Sequence, residues 1–160
     1  MRKSSKGFSL IELLIVVAII LIIAAIAIPN LLRSRIAANQ ASAVGSLRTL
    51  NTAEITYSST YNVGFTATLN YLAPPTGTNN PTSTAAGLID SVLALGSKSG
   101  YSFTYSPGAS DSTGRINTYA FTAVPITSST GTNYYYTDQS GVIRQNSTTT
   151  AGSTDSPIAG

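Results

Sequence analysis

The chain has 160 residues, 42% of them hydrophobic and only 9% charged, with no histidine and no cysteine. That composition removes the usual general bases, thiol nucleophiles, disulfides and most zinc schemes, so it argues against an enzyme and says nothing about redox compartment. The formal charge of +3 is carried by Arg2, Lys3 and Lys6, since beyond Lys6 six basic residues face six acids. An excess confined to a short N-terminal cluster is a topology signal rather than a nucleic-acid-binding face, and no direct nucleic-acid partner is expected.

Sixteen consecutive apolar residues run from Leu13 to Ile28, and the 21 residues from Phe8 to Ile28 include only Ser9 and Glu12 as polar interruptions. Such a segment can span a bilayer. A secretory signal has a shorter apolar core before a small-residue cleavage site, whereas this one continues into Pro29-Asn-Leu-Leu32, which argues against removal of the whole segment. By the positive-inside rule the N-terminus is cytoplasmic and the chain from about residue 30 onward is exported. Apolar or small residues then recur at Leu32, Ile36, Ala43, Leu47, Leu50, Tyr57 and Tyr61, the stripe of a helix with one buried face. The spacing predicts one helix from Phe8 to about residue 58, roughly 75 Å at 1.5 Å per residue. Its first half, 8–29, is the membrane-spanning part and its second half, 30–58, is amphipathic. Pro29 lacks an N–H and crowds the carbonyl four residues back, so a kink or local unwinding is expected between Ala25 and Pro29.

Residues 59–100 read as a long connection rich in turn formers, with a possible short helix over Thr84–Leu95 capped by Thr84 and stopped by Gly96. Gly96-Ser-Lys-Ser-Gly100 resembles a fragment of a phosphate loop, but the upstream glycine spacing is wrong, and it reads as a turn. Over 101–146, large side chains alternate at Tyr101, Phe103 and Tyr105, then within 116–125, 133–137 and 142–145. These predict an antiparallel sheet of three or four strands, with Asp138-Gln-Ser-Gly141 as the last turn and the helix stripe as apolar cover. The fold class is therefore α+β. Residues 147–160 are low in complexity and read as a flexible tail.

Lys6-Gly7-Phe8-Ser9-Leu10-Ile11-Glu12-Leu13, followed by the apolar run and Pro29, resembles the prepilin signature of type IV pilins and type II secretion pseudopilins. The resemblance implies a leader, 1–7, cut between Gly7 and Phe8 by an inner-membrane prepilin peptidase, which also methylates the new Phe8 amine. It implies that Glu12 serves assembly, and that the subunit forms a helical homo-oligomeric filament with an inner-membrane platform and cytoplasmic motor ATPases as partners. Membrane lipid holds the subunit before assembly, and the cell surface holds it afterwards. Many members close a C-terminal loop with a cysteine pair, which this chain lacks.

Glu12 can be weighed on physical grounds as well. A carboxylate at mid-membrane costs about 2.5 to 3.5 kcal/mol on insertion scales, but about 6 Å from Phe8 along the helix it can snorkel to the headgroups. In the other reading, cleavage after Gly7 creates an α-amino group, protonated below a pKa of roughly 8, that pairs with Glu12 of a neighbouring subunit. A misregistered subunit would then bury an unpaired charge, so the pair selects the stagger. Gly7 is either a flexible junction or the residue that lets a peptidase read the backbone. The acids are few and scattered, so no calcium site and no other cofactor is expected. Tyr134-Tyr-Tyr136 is either sheet packing or an adhesive face, and Asn146-Ser-Thr148 fits a glycosylation pattern. Three functions stay open: a pilus subunit for adhesion, motility or DNA uptake, a pseudopilin that pushes proteins through a secretin, and an anchored protein that never polymerises.

Overall fold

The computed structural model describes residues 7–158, so all but Gly7 of the expected leader, 1–7, lies outside the described residues. Its elements are helix α1 (Leu10–Tyr61), a 3-10 turn (Leu69–Leu72), the short helix α2 (Ser91–Ala94) and strands β1 (Ser97–Lys98), β2 (Tyr101–Pro107), β3 (Tyr119–Pro125), β4 (Tyr134–Asp138) and β5 (Arg144–Asn146). The fold class is α+β, as expected. Two compact units divide the chain after Arg35.

The first unit contains the N-terminal part of α1, where nearly every side chain through Leu32 is exposed. The backbone stays helical through Pro29, so the local unwinding considered for Ala25 to Pro29 is not seen. Pro29 is the twentieth residue of α1 and closes the apolar run; with no N–H it leaves the Ala25 carbonyl without its helical donor, and the helical neighbours on both sides hold the turn.

The second unit is a five-stranded antiparallel meander in the order β1-β2-β3-β4-β5, covered by the rest of α1 and the long connection. The strand count exceeds the expected three or four because Gly96–Gly100, read as a turn, contains a strand. Ser97 and Lys98 pair with Ser102 and Tyr101. Ser99 (φ 50°) and Gly100 (φ 75°) both take left-handed geometry, the two-residue hairpin whose twist matches that of the strands. On β2 and β3, Tyr101, Phe103, Tyr119, Phe121 and Ala123 point inward onto Ala43, Leu47, Leu50 and Tyr57 of α1. Their aromatic rings form an edge-and-tilt cluster, with Tyr105 and Phe121 at 4.8 Å and Phe65 and Tyr119 at 4.6 Å.

The helix runs three residues past the expected end. Asn62 closes it in left-handed geometry (φ 56°), its N–H donating to the Ser58 carbonyl at 3.0 Å. Gly64 (φ 86°) then lets Phe65 donate to the Ile116 carbonyl at 2.7 Å, an approach so close that a Cβ at residue 64 would overlap that carbonyl. The short helix also differs from expectation: Thr84 does not cap it. Residues 86–88 instead form no regular element and donate to carbonyls of Tyr71, Ala73 and Leu72, with Gly87 in left-handed geometry. Asp90 is the true cap, accepting from Leu93 N at 2.9 Å.

Residues 147–158, expected to be a flexible tail, fold back instead. Gln145 donates to the Ser156 carbonyl and Ile158 to the Ile143 carbonyl, at 3.0 and 2.9 Å. Asp155 is the hub: Asn146 Nδ2 donates to Oδ1 at 2.9 Å, Gly152 N to Oδ2 at 2.8 Å, and Arg144 Nη1 to its carbonyl at 2.9 Å. Buried Ala151 fills the loop. A carboxylate with two donors thus closes the C-terminal loop of this cysteine-free chain.

Candidate functional site

The junction from Gly7 to Glu12 is the start of α1. Ser9 stands just outside the helix, and Leu13 N donates to its carbonyl at 3.3 Å, opening the helical ladder. Ser9 Oγ accepts from Ile11 N at 3.3 Å, and Glu12 Oε2 reaches back to accept from Ser9 N at 2.8 Å. This is a capping box, two otherwise orphaned N–H groups satisfied reciprocally at the positive end of the helix dipole. Ser9-x-x-Glu12 is the sequence signature of this box, a role for Glu12 additional to those of membrane charge and assembly partner.

Glu12 Oε2 holds the helix start, and Oε1 has no partner among the described residues. Phe8 is 78% exposed. A Cβ placed on Gly7 would meet nothing within 4 Å, and its φ is not in the left-handed region. Nothing among the described residues therefore requires glycine there. Pro29 is exposed on the same apolar helix. Gly7, Phe8 and Glu12 come together at the helix start, whereas Pro29 sits 17 residues beyond Glu12 and takes no part in that junction.

In the second unit, no cluster of three or more metal-ligating side chains occurs among the described residues. Asp111, on the loop between β2 and β3, accepts from Thr113, Arg115 N and Asn117 Nδ2, bonds that hold its carboxyl well below the usual range. Asn146 fits a glycosylation pattern, but its amide nitrogen donates to Asp155 and its oxygen accepts from Thr148 and Thr149. The side chain is spent on holding the loop. Tyr135 is buried, and Tyr134 and Tyr136 are half-buried, which fits packing of the Tyr134–Tyr136 run. Burial pushes the Tyr101 hydroxyl up to about 12 as it donates to the Asn133 carbonyl at 2.8 Å.

Glu54 went unremarked in the sequence. It is fully buried, with Oε2 accepting from Thr66 N at 3.0 Å and Oε1 from Thr66 Oγ1 at 2.6 Å. Burial raises its carboxyl above the usual value, against the pull of the Thr66 bonds. The available signal was its position: Glu54 follows Leu47 by seven residues on the buried stripe.

The model of the prokaryotic N-terminal methylation motif matches residues 2–28. This chain carries that motif in its N-terminal segment. It is 65% identical over 37 residues to the type IV wide pilus major component PilA4 of Thermus thermophilus, a stretch covering 23% of this chain and 28% of that one. It is 52% identical over 50 residues to the type IV major pilin protein PilA of Myxococcus xanthus, covering 31% of this chain and 23% of that one. The chain thus matches only about a quarter of the length of these relatives. No solved structure gives a significant match. The capping box of Ser9 and Glu12 and the exposed Phe8 lie within the matched methylation motif.

Proposed function

We propose that the chain is the structural, non-enzymatic subunit of a type IV pilus, cut after Gly7, methylated at Phe8 and polymerised through its apolar helix. The observation that supports this reading is an apolar helical stretch, exposed nearly throughout from Leu10 to Leu32, that lies largely within a prokaryotic N-terminal methylation motif. Such a helix is stable in lipid or against copies of itself, and polymerisation trades one apolar surrounding for the other. Head-to-tail contacts that do not close give helical polymers. Both relatives are named as major components of type IV pili, which favours the pilus over the pseudopilus.

Hydrolysis of the Gly7–Phe8 bond leaves the Ser9 N–H, and with it the capping box, untouched. The new Phe8 ammonium of one subunit meets Glu12 Oε1 of the next, while Oε2 stays on Ser9. Methylation keeps the positive charge and removes one N–H donor. An offset subunit buries an unpaired charge at a cost of about 3 to 5 kcal/mol, so register is selected. The N-terminus faces the cytoplasm before assembly, where a peptidase and methyltransferase, an inner-membrane platform and motor ATPases act on the subunit. Pro29 is the position at which the helix bends.

Immunogold electron microscopy of cells, joined to mass spectrometry of the mature chain, tests this. Surface filaments labelled along their length and a mature chain beginning at methylated Phe8 are expected. Glu12→Leu is expected to insert and be processed yet give few or no filaments. Normal filament yield from Glu12→Leu refutes the pairing, and membrane chains that still begin at Met1 refute the processing.

A further inference from the structure

We propose that Arg33 and Arg35 form a binding site for phospholipid phosphates, which fixes how deep the unassembled subunit sits in the bilayer. This rests on the membrane-anchored reading of the first unit. Both arginines are exposed at the end of the apolar stretch, directly after Leu31 and Leu32. From Phe8 to Arg33 the helix rises about 37 Å, while the hydrocarbon core is about 30 Å thick and the bilayer with its headgroups about 40 to 45 Å. With Phe8 at one interface, the two guanidinium groups arrive in the opposite headgroup layer.

The described residues give them no counter-charge. No acid lies between Glu12 and Glu54, and Glu54 is fully buried. Among the described residues the salt bridge present is Lys98–Asp90, and neither arginine side chain makes a hydrogen bond. Ser34, between them, turns its hydroxyl back onto the Asn30 carbonyl and supplies no competing partner. Two residues apart, the arginines project about 200° from each other around the helix. A single protein groove contacts one side of a helix, whereas a headgroup layer surrounds it, so opposed cations suit lipid. The planar guanidinium matches a phosphate through two parallel hydrogen bonds. Extraction of the subunit for assembly must then break two such contacts.

The test uses the full chain, labelled with 13C at the arginine Cζ, in phosphatidylglycerol vesicles, and reads 13C–31P rotational-echo dephasing by solid-state NMR. Arg33→Lys with Arg35→Lys keeps both charges but removes both labels. Arg2 is the remaining arginine flanking the span, so the dephased signal is expected to fall by about two-thirds. Unchanged dephasing in the double variant overturns the proposal. Vesicles of phosphate-free galactolipid supplied with inorganic phosphate are expected to give no dephasing, and dephasing there also overturns it, because the site would then take any phosphate. A chain that floats with the vesicles but shows no loss refutes the arginine site alone. A chain that fails to float refutes the anchored reading together with it.

Discussion

Replacing Asp155 with alanine should open the C-terminal loop while the sheet persists. The substitution removes two acceptors, Oδ1 from Asn146 Nδ2 and Oδ2 from Gly152 N, and leaves the backbone bond from Arg144 in place. Hydrogen bonds to a charged group contribute about 1.5 to 3 kcal/mol each, and Asp155 is half exposed, so the lower part of that range applies and the pair contributes about 2 to 4 kcal/mol. Native-state amide exchange reads this locally. The N–H groups of Gln145 and Ile158, which bond across the loop, should exchange roughly thirty-fold to several hundred-fold faster in the variant, at 1.4 kcal/mol per tenfold. Amides of β2 and β3, paired over seven residues, should change little. Asp155→Asn keeps one acceptor and should fall between the two. If Gln145 and Ile158 stay as protected in Asp155→Ala as in the parent chain, the carboxylate is not what closes the loop.

Glu54 should give the second unit a specific pH dependence. Its folded carboxyl is raised above the ordinary 4.5, so the stability linked to its proton is complete below that value and is lost as pH rises through the higher folded value. Chemical denaturation of the full chain in detergent, repeated across pH, should show this decline, and Glu54→Gln should flatten it; parallel curves for the two would exclude Glu54 as the source. Gly64→Ala should destabilise the second unit by at least about 2 kcal/mol, since it combines a left-handed φ with overlap on the Ile116 carbonyl. Urea midpoints measure this, and a change within a few tenths would contradict the close approach.

The sequence made the apolar span, the buried stripe through Leu47, Leu50 and Tyr57, and the alternation of β2 to β4 legible because each rests on periodicity over many residues. Features settled by one side chain's hydrogen bonds were harder to see. The capping box was written in Ser9 and Glu12, and the helix end in Asn62, but both lay in the shadow of stronger signals. Thr84 offered a plausible cap, and the backbone of 86–88 found better partners in the carbonyls of 71–73. The segment 147–158 misled for the opposite reason. Its small polar composition matches disordered chains, yet Asn146 and Asp155 convert it into a closed loop through contacts that composition does not record. Glu54 was a buried polar group with no signature beyond its place on the stripe.

The two units divide the physical work. The second buries its own core of aromatic and aliphatic side chains and satisfies its own carboxylates, with Glu54 on Thr66, Asp90 on Lys98, Asp111 within its loop and Asp155 on its neighbours. It asks little of any partner for stability. Among the described residues the first unit buries almost nothing, and Glu12 Oε1 and the side chains of Arg33 and Arg35 have no hydrogen-bond or ion-pair partner. Its incomplete interactions are all of a kind that a bilayer or a bundle of identical helices completes. Substitutions in the second unit should therefore register as stability, and those at Phe8, Glu12, Arg33 or Arg35 as a change in where the subunit resides, with the head still folded. Loss of head structure in Glu12→Leu would contradict this division, because no contact of Glu12 among the described residues reaches beyond Ser9.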